Sequence, residues 1–253
     1  MTTLLVLSAS LAASAWSYPA AAPVDLDHSV LLLRHAKQPD GTTPTTTGLV
    51  VSNDDRLFLV TVGKWISDGA ETPTVMYLAG PKDPPPAGSP AMVFVSQLKH
   101  LTEPGAAWRF DRDLNLAAVP LKRSSPLTRS ITAFRLTERS IPSPPETLTP
   151  TCLVGLPLYR SGAVQQQMQP TAFLRRVANG RVRFSENAEK PRVMSFAFPI
   201  RPGFEGAGVF VATDDGPALA GVVIGSTADK TGARFQIAAP AVAVRELLSA
   251  EGP

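Results

Sequence analysis

One cysteine and three histidines are all that 253 residues offer of the side chains that most often form bridges or bind metals. Cys152 has no partner in the chain, so an intrachain disulfide is impossible and the disulfide-stapled secreted scaffolds are excluded. His28, His35 and His100 show no ligand spacing such as His-x-x-x-His, and no glycine-rich loop follows a strand and opens a helix; no metal and no other cofactor is expected. Charge is sparse too, with 18% charged residues and a net charge of +3, which bears on solubility and says little about partners. Basic runs interleaved with aromatics are missing, as is any zinc or helix-turn-helix spacing, so nucleic acid is not an expected partner. No segment approaches the roughly 20 apolar residues that a membrane span needs.

Proline, by contrast, is abundant: 25 residues, about twice the usual share, in a chain that is 44% apolar. That combination builds a real core but breaks long helices, and it suits short strands joined by many loops. The opening MTTLLVLSASLAASAW is a short apolar stretch running into small residues, so 1–22 is a candidate export signal. Ala13-Ser14-Ala15 or Ala20-Ala21-Ala22 would serve as the cleavage site, although no Lys or Arg precedes the apolar core. Export would place the protein outside the cell or in a periplasm; without it the protein would be cytoplasmic.

From Ser29 onward the pattern is strand, turn, strand. Val30-Leu31-Leu32-Leu33 is a short apolar run; Gly48-Leu49-Val50-Val51 and Leu57-Phe58-Leu59-Val60-Thr61 flank a polar turn at Ser52-Asn53-Asp54-Asp55 and predict a hairpin. Val75-Met76-Tyr77-Leu78 and Met92-Val93-Phe94-Val95 enclose a Pro- and Gly-rich loop at 80–90, and 114–121 predicts another strand. Four prolines among polar residues at 140–150 mark a linker between halves. Beyond it, Cys152-Leu153-Val154-Gly155 opens a second set of strands. Segments 173–177 and 181–184 predict a hairpin about Asn179-Gly180, and Val209-Phe210-Val211 and 218–224 predict one about Asp214-Asp215-Gly216. Only 239–250 has helical periodicity, with Val242, Val244, Leu247 and Leu248 on its apolar face. The periodicity alone predicts an all-β chain of two halves, as two barrels or a sandwich.

Three motifs narrow this. The segment from Thr47-Gly48-Leu49-Val50-Val51-Ser52 to Arg56-Leu57-Phe58-Leu59-Val60-Thr61-Val62-Gly63-Lys64 resembles the opening of bacterial trypsin-like serine peptidases, where the returning strand ends in Thr-Ala-x-His. Asp113-Leu114-Asn115-Leu116-Ala117-Ala118-Val119 resembles that family's aspartate strand. Pro202-Gly203-Phe204-Glu205-Gly206-Ala207-Gly208-Val209 resembles the signature around its nucleophile. Val154-Gly155-Leu156-Pro157 and Gly221-Val222-Val223-Ile224-Gly225 are supporting matches, and the motifs stand in the family's order from about Val30 to Leu248. The resemblance implies two six-stranded antiparallel β-barrels, at 27–140 and 152–238, a Pro-rich linker at 141–151 and a C-terminal helix at 239–250.

It also implies a lost triad. Lys64 falls at the histidine position, Asn115 at the aspartate position and Glu205 at the serine position, while Gly203 and Glu205 fall where the oxyanion-hole N–H groups would be. Peptide hydrolysis by this route needs a hydroxyl nucleophile, an imidazole to shuttle its proton and a carboxylate to orient the imidazole. A lysine cation has no lone pair to accept a proton, Glu205 has no hydroxyl, and its charge would repel a developing oxyanion. The expected site is a Lys64–Glu205 ion pair with Asn115 beside it, in which Glu205→Ala is clearly destabilising because it leaves a lysine uncompensated. The function expected is therefore an inactive peptidase homologue that binds a peptide or protein.

Two further readings stay open. A rearranged site could retain hydrolase activity. Separately, Leu33-Arg34-His35 resembles the Arg-His motif ending the first strand of histidine phosphatases, and Ser124-Ser125-Pro126-Leu127-Thr128-Arg129 faintly resembles a second motif of that family. That chemistry wants a late second histidine and an alternating α/β pattern, neither of which is present; taken alone, Arg34-His35 reads as a strand end at the surface. Arg175, Arg176, Arg181, Arg183, Lys190, Arg192 and Arg201 make the second half locally basic, a solvated face or a dock for an acidic partner.

Overall fold

Short runs of leucine and β-branched residues, cut by polar turns, become strands wherever alternate side chains find two separate apolar environments. The computed structural model describes residues 26–38, 40–66, 73–79, 92–125, 131–136, 139–140, 150–155, 158–160, 166–168, 171–176, 179–183, 193–196, 203–228, 232 and 234–250. The first sheet holds β1 (Val30–Arg34), β2 (Thr45–Asn53), β3 (Arg56–Val62), β4 (Thr74–Ala79), β5 (Met92–Gln97), β6 (Arg109–Asp111), β7 (Leu116–Leu121) and β8 (Phe134–Arg135). Its order is β5-β4-β1-β2-β3-β7-β6, with β8 added to β2 in parallel at Val51 and Ser52. All its other pairings are antiparallel.

After β9 (Pro150–Gly155), the strands β10 (Leu158–Arg160) and β11 (Gln166–Met168) pair only with each other among the described residues. The chain continues as β12 (Thr171–Arg176), β13 (Asn179–Arg183), β14 (Val193–Phe196), β15 (Gly208–Thr213), β16 (Gly216–Ala228) and β17 (Arg234–Pro240). These and β9 form a second antiparallel sheet in the order β12-β9-β15-β16-β17-β14-β13. The helix α1 (Ala241–Ser249) follows directly.

Strand alternation sorts the side chains into one shared core and two private ones. In the first sheet Leu31, Leu33, Val50, Leu59 and Val119 point into that sheet's own core. Their neighbours Val30, Leu32, Leu49, Val51, Phe58, Val60 and Ala118 face the other way, and meet Val154, Phe210, Leu219 and Val222 of the second sheet together with Val244, Leu247 and Leu248 of α1. Leu153, Val209, Ala220 and Val223 fill the second sheet's own side. Central strands are therefore buried on both faces and read as unbroken apolar runs. In β16 the side facing the shared core changes between Leu219 and Val222, where the pairing to β15 slips between Val209 and Phe210. A bulge there lets one strand serve both cores. Phe134 and Phe210 meet edge-to-face across the two sheets at 5.0 Å.

Several expectations are corrected. Among the described residues the sheets hold eight and seven strands, where six each were expected, and their ladders run as open paths. Part of the surplus is β6 and β8, three and two residues long and too short to show a period. Asn179-Gly180 does not turn between β12 and β13: both residues lie within β13, which pairs with β14, while β12 pairs with β9. The segment 114–121 splits, because Arg112 to Asn115 form a turn and the strand starts at Leu116. Ala239 and Pro240 belong to β17, and the helix begins only after Pro240, whose extended backbone (φ −70°, ψ 155°) ends the strand. The export segment 1–22, the loop at 80–90 and residues 141–149 of the linker lie outside the described residues.

The end of α1 carries no basic residue of its own. Arg109 of β6 supplies one from the first sheet, donating to the carbonyls of Leu247 and Leu248 while its guanidinium lies 5.3 Å from the Phe58 ring. Replacing Arg109 by Met keeps much of the aliphatic packing and removes the donors. A loss of about 1 kcal/mol in urea unfolding, with an unchanged dependence on denaturant, is expected.

Candidate functional site

β3 delivers Lys64 and the β6–β7 turn delivers Asn115. Just past Val62 the chain turns, with Gly63 donating its N–H to the Asn115 carbonyl (2.8 Å) and Ile66 donating to the Gly63 carbonyl (2.9 Å). The β6–β7 turn is closed by the Asp111 carboxylate, which accepts from Leu114 N–H at 3.0 Å, and its last residue, Asn115, adopts a left-handed backbone (φ 53°). Asparagine tolerates that conformation better than most residues. Both ends of its side chain are then engaged: Oδ1 accepts the Lys64 backbone N–H at 2.8 Å, and Nδ2 donates to the Ile224 carbonyl of β16 at 3.0 Å.

Glu205 comes from the opposite sheet, in the turn that leads into β15. Gly203 and Gly206 both have left-handed backbones (φ 93° and 87°). At Gly206 the space admits nothing larger, since an added Cβ would lie 1.8 Å from the Thr47 carbonyl oxygen. Thr47 of β2 grips this turn twice: its N–H donates to the Glu205 carbonyl (2.7 Å) and its hydroxyl to the Gly203 carbonyl (2.6 Å). Gly206 N–H donates to the Val223 carbonyl (2.7 Å) and fixes the turn's other side.

These constraints aim the Glu205 carboxylate at Lys64. Nζ of Lys64 donates to Oε1 at 2.5 Å, and the Trp65 indole N–H donates to Oε2 at 3.3 Å. The ammonium also lies 5.0 Å from the Trp65 ring centre. The structure thus brings Lys64, Asn115 and Glu205 together, with Asn115 bonded to the Lys64 backbone rather than to its amine. Trp65 is the site residue that the sequence reading passed over, although its place beside Lys64 was visible. A cleft of about 420 Å³ opens beside Lys64, lined also by Ile66, Phe110, Arg112 and Leu116.

The pair is not buried. The Lys64 and Glu205 side chains are 40% and 27% exposed, so solvent screens the attraction and either charge can stay hydrated if the other is lost. This corrects the expectation that Glu205→Ala is clearly destabilising.

His35 is the buried titratable group behind this site. It is only 5% exposed, against the expected surface strand end. Its Nε2 lies 2.9 Å from the Thr46 hydroxyl, which is 3.4 Å from that of Thr61, and its ring lies 6.5 Å from the Trp65 ring. Nδ1 has no partner at hydrogen-bond geometry. Burial lowers its pKa to about 4, opposed by the nearby Trp65 backbone. An imidazole so enclosed and so weakly basic is not placed to take up a phosphoryl group, and the alternating α/β sheet that the phosphatase reading needs is absent from the described residues. Arg175, Arg176, Arg181 and Arg183 lie on β12 and β13, which sit at opposite ends of the second sheet's strand order rather than on one hairpin; Lys190, Arg192 and Arg201 lie outside the described residues.

No family model and no curated protein matches this chain. Solved structures do. The Rv3671c protease from M. tuberculosis in its active form is 18% identical and superposes with a TM-score of 0.55, covering 91% of this chain and 86% of that one. The HtrA-type protease AlgW with tripeptide is 17% identical at a TM-score of 0.51, covering 88% of this chain and 59% of that one. The thermostable serine protease AL20, from an extremophilic microorganism, is 12% identical at 0.51, over 90% and 100%. The chain has the fold of the trypsin-like and HtrA-type serine proteases.

Two outcomes follow. In a double-mutant cycle of Lys64→Met and Glu205→Gln, the coupling energy should be about 1 kcal/mol or less; several kcal/mol would mean that the pair is held out of solvent. Since the native state lowers the His35 pKa from 6.5 to about 4, the unfolded chain binds the extra proton between those values. The stability this histidine contributes is complete above about pH 6.5 and is lost as pH falls towards 4, up to about 3 kcal/mol. Urea unfolding at about pH 7 and pH 4.5 should show a steeper loss for the native chain than for His35→Gln, and equal losses would refute the assignment.

Proposed function

We propose that this chain is a trypsin-like serine peptidase homologue that does not hydrolyse peptides and acts as a binding or regulatory module for a peptide or protein. The observation that supports the reading is the 2.5 Å contact between Lys64 and Glu205, with Asn115 bonded to the Lys64 backbone. On this reading the three residues hold the histidine, serine and aspartate positions of an ancestral triad, in two barrels over 27–140 and 152–238 joined by the linker at 141–151.

The chemistry follows from the pair. An ammonium bonded to a carboxylate is a donor and not a base, so nothing here withdraws a proton from an attacking group. Glu205 carries no hydroxyl or thiol to form an acyl intermediate. Its carboxylate stands beside the turn whose Gly203 and Glu205 N–H groups take the place of the oxyanion hole, and negative charge there opposes a developing oxyanion. Asn115 offers no charge to orient an imidazole; its Nδ2 instead donates to the Ile224 carbonyl, which an aspartate at this position could only repel. What remains is the cleft beside Lys64, open to solvent and able to receive a chain without cutting it.

The purified chain should release no product from casein or from peptide esters above the buffer rate, and a fluorophosphonate probe should leave it unlabelled. Turnover that disappears in both Lys64→Ala and Glu205→Ala would overturn the reading and establish a hydrolase working through a rearranged site.

A further inference from the structure

The cleft beside the ion pair is walled on one side by Gly63, Lys64 and Ile66 and on the other by Phe110, Asp111 and Arg112. Its charges are unequal in availability. One oxygen of the Asp111 carboxylate accepts the Leu114 N–H at 3.0 Å; the group keeps its negative charge while lining the cleft, so an incoming anion has to be held by the cations of the site. Arg112 is exposed, packs 5.8 Å from the Phe110 ring, and has no carboxylate within ion-pair reach among the described residues, where the ion pairs are Arg56–Glu103 and Lys64–Glu205. Phe110 in turn lies 6.4 Å from the Trp108 ring, so the guanidinium sits over the nearer of two neighbouring aromatics. Such a stack holds a guanidinium in place without consuming its donors. Lys64 adds a second cation: an ammonium has three N–H donors, and one of them meets Glu205.

We propose that this cleft receives an acidic side chain of a bound peptide, with Arg112 as the principal carboxylate-binding residue and Lys64 as the second. The inference rests on the peptide-binding reading above and names its specificity. An incoming carboxylate would take the fork of Arg112 and one free donor of Lys64 while its stem lies along Ile66 and Leu116. The Lys64–Glu205 contact need not break, because it uses one of the ammonium's three N–H donors.

The test is fluorescence anisotropy of labelled hexapeptide pools with the full chain. The peptides are acetylated and C-terminally amidated, and carry one Glu or, at the same place, one Gln. The Glu pool should bind roughly fivefold to tenfold more tightly, and added salt should narrow the difference. Arg112→Gln, a change at an exposed position, should remove most of the preference by weakening the Glu pool several-fold more than the Gln pool. Equal binding of both pools overturns the proposal and leaves the peptide-binding reading standing. A Glu preference that survives in Arg112→Gln also overturns it, by placing the anion elsewhere. Absence of binding by either pool removes both this inference and the reading beneath it.

Discussion

Thr47 is where the two sheets are fixed to one another. It is a fully buried residue of β2, and its N–H, hydroxyl and carbonyl are all used: the first two bond Glu205 and Gly203 of the second half, and the carbonyl accepts the Thr61 hydroxyl at 2.8 Å. An unpaired polar group in this setting would cost more than any one of these bonds contributes, so the turn at 203–206 has one acceptable position against β2. Gly206 permits the approach, and any side chain there would collide with the Thr47 carbonyl. The apolar core shared by both sheets and α1 supplies the bulk of the cohesion, but oily surfaces slide. The polar joint sets the register, and with it the direction in which Glu205 points.

It follows that the Lys64–Glu205 contact is a result of the architecture more than a cause of it. Backbone bonds bring each partner to within a side chain's length: Asn115 and Gly63 on one side, Thr47 and Val223 on the other. The pair then closes in a partly exposed place, where the Coulomb gain is screened and desolvation is incomplete. Asn115 has a firmer role. Its left-handed backbone, its acceptor to Lys64 and its donor to Ile224 demand an amide, and a carboxylate of the same shape would face a carbonyl.

How much of this could be read from the chain depends on the length scale of each signal. The strands β1, β2, β3, β4, β15 and β16 announced themselves because their apolar runs are long and their turns carry Asp, Asn or Gly; the left-handed Asp54 sits where the Asn53-Asp54-Asp55 turn was expected. Strands of two or three residues such as β6 and β8 leave no period to detect. Asn179-Gly180 misled because a hairpin dipeptide is a local preference, whereas partners in a sheet are chosen by distant strands. At the site, Lys64, Asn115 and Glu205 emerged only as places in three resembling motifs; no property of a lone Lys, Asn or Glu would have united them. Trp65 stood in view beside Lys64, but its bond to Glu205 and the burial of His35 were out of reach, since both depend on how distant segments pack around the turn after β3.

The ion pair stands partly in solvent, so its place in the site weighs more than its contribution to stability. The contact still shapes what stands in front of it, because it occupies the Glu205 carboxylate and one donor of the Lys64 ammonium. On the opposite wall Arg112 lies over the Phe110 ring with no carboxylate in ion-pair reach among the described residues, and one oxygen of Asp111 accepts the Leu114 N–H. Under the proposed reading, the two sheets meet at a salt bridge where a peptidase would hold a reacting carbonyl, and Arg112 beside it sets the preference for an anion.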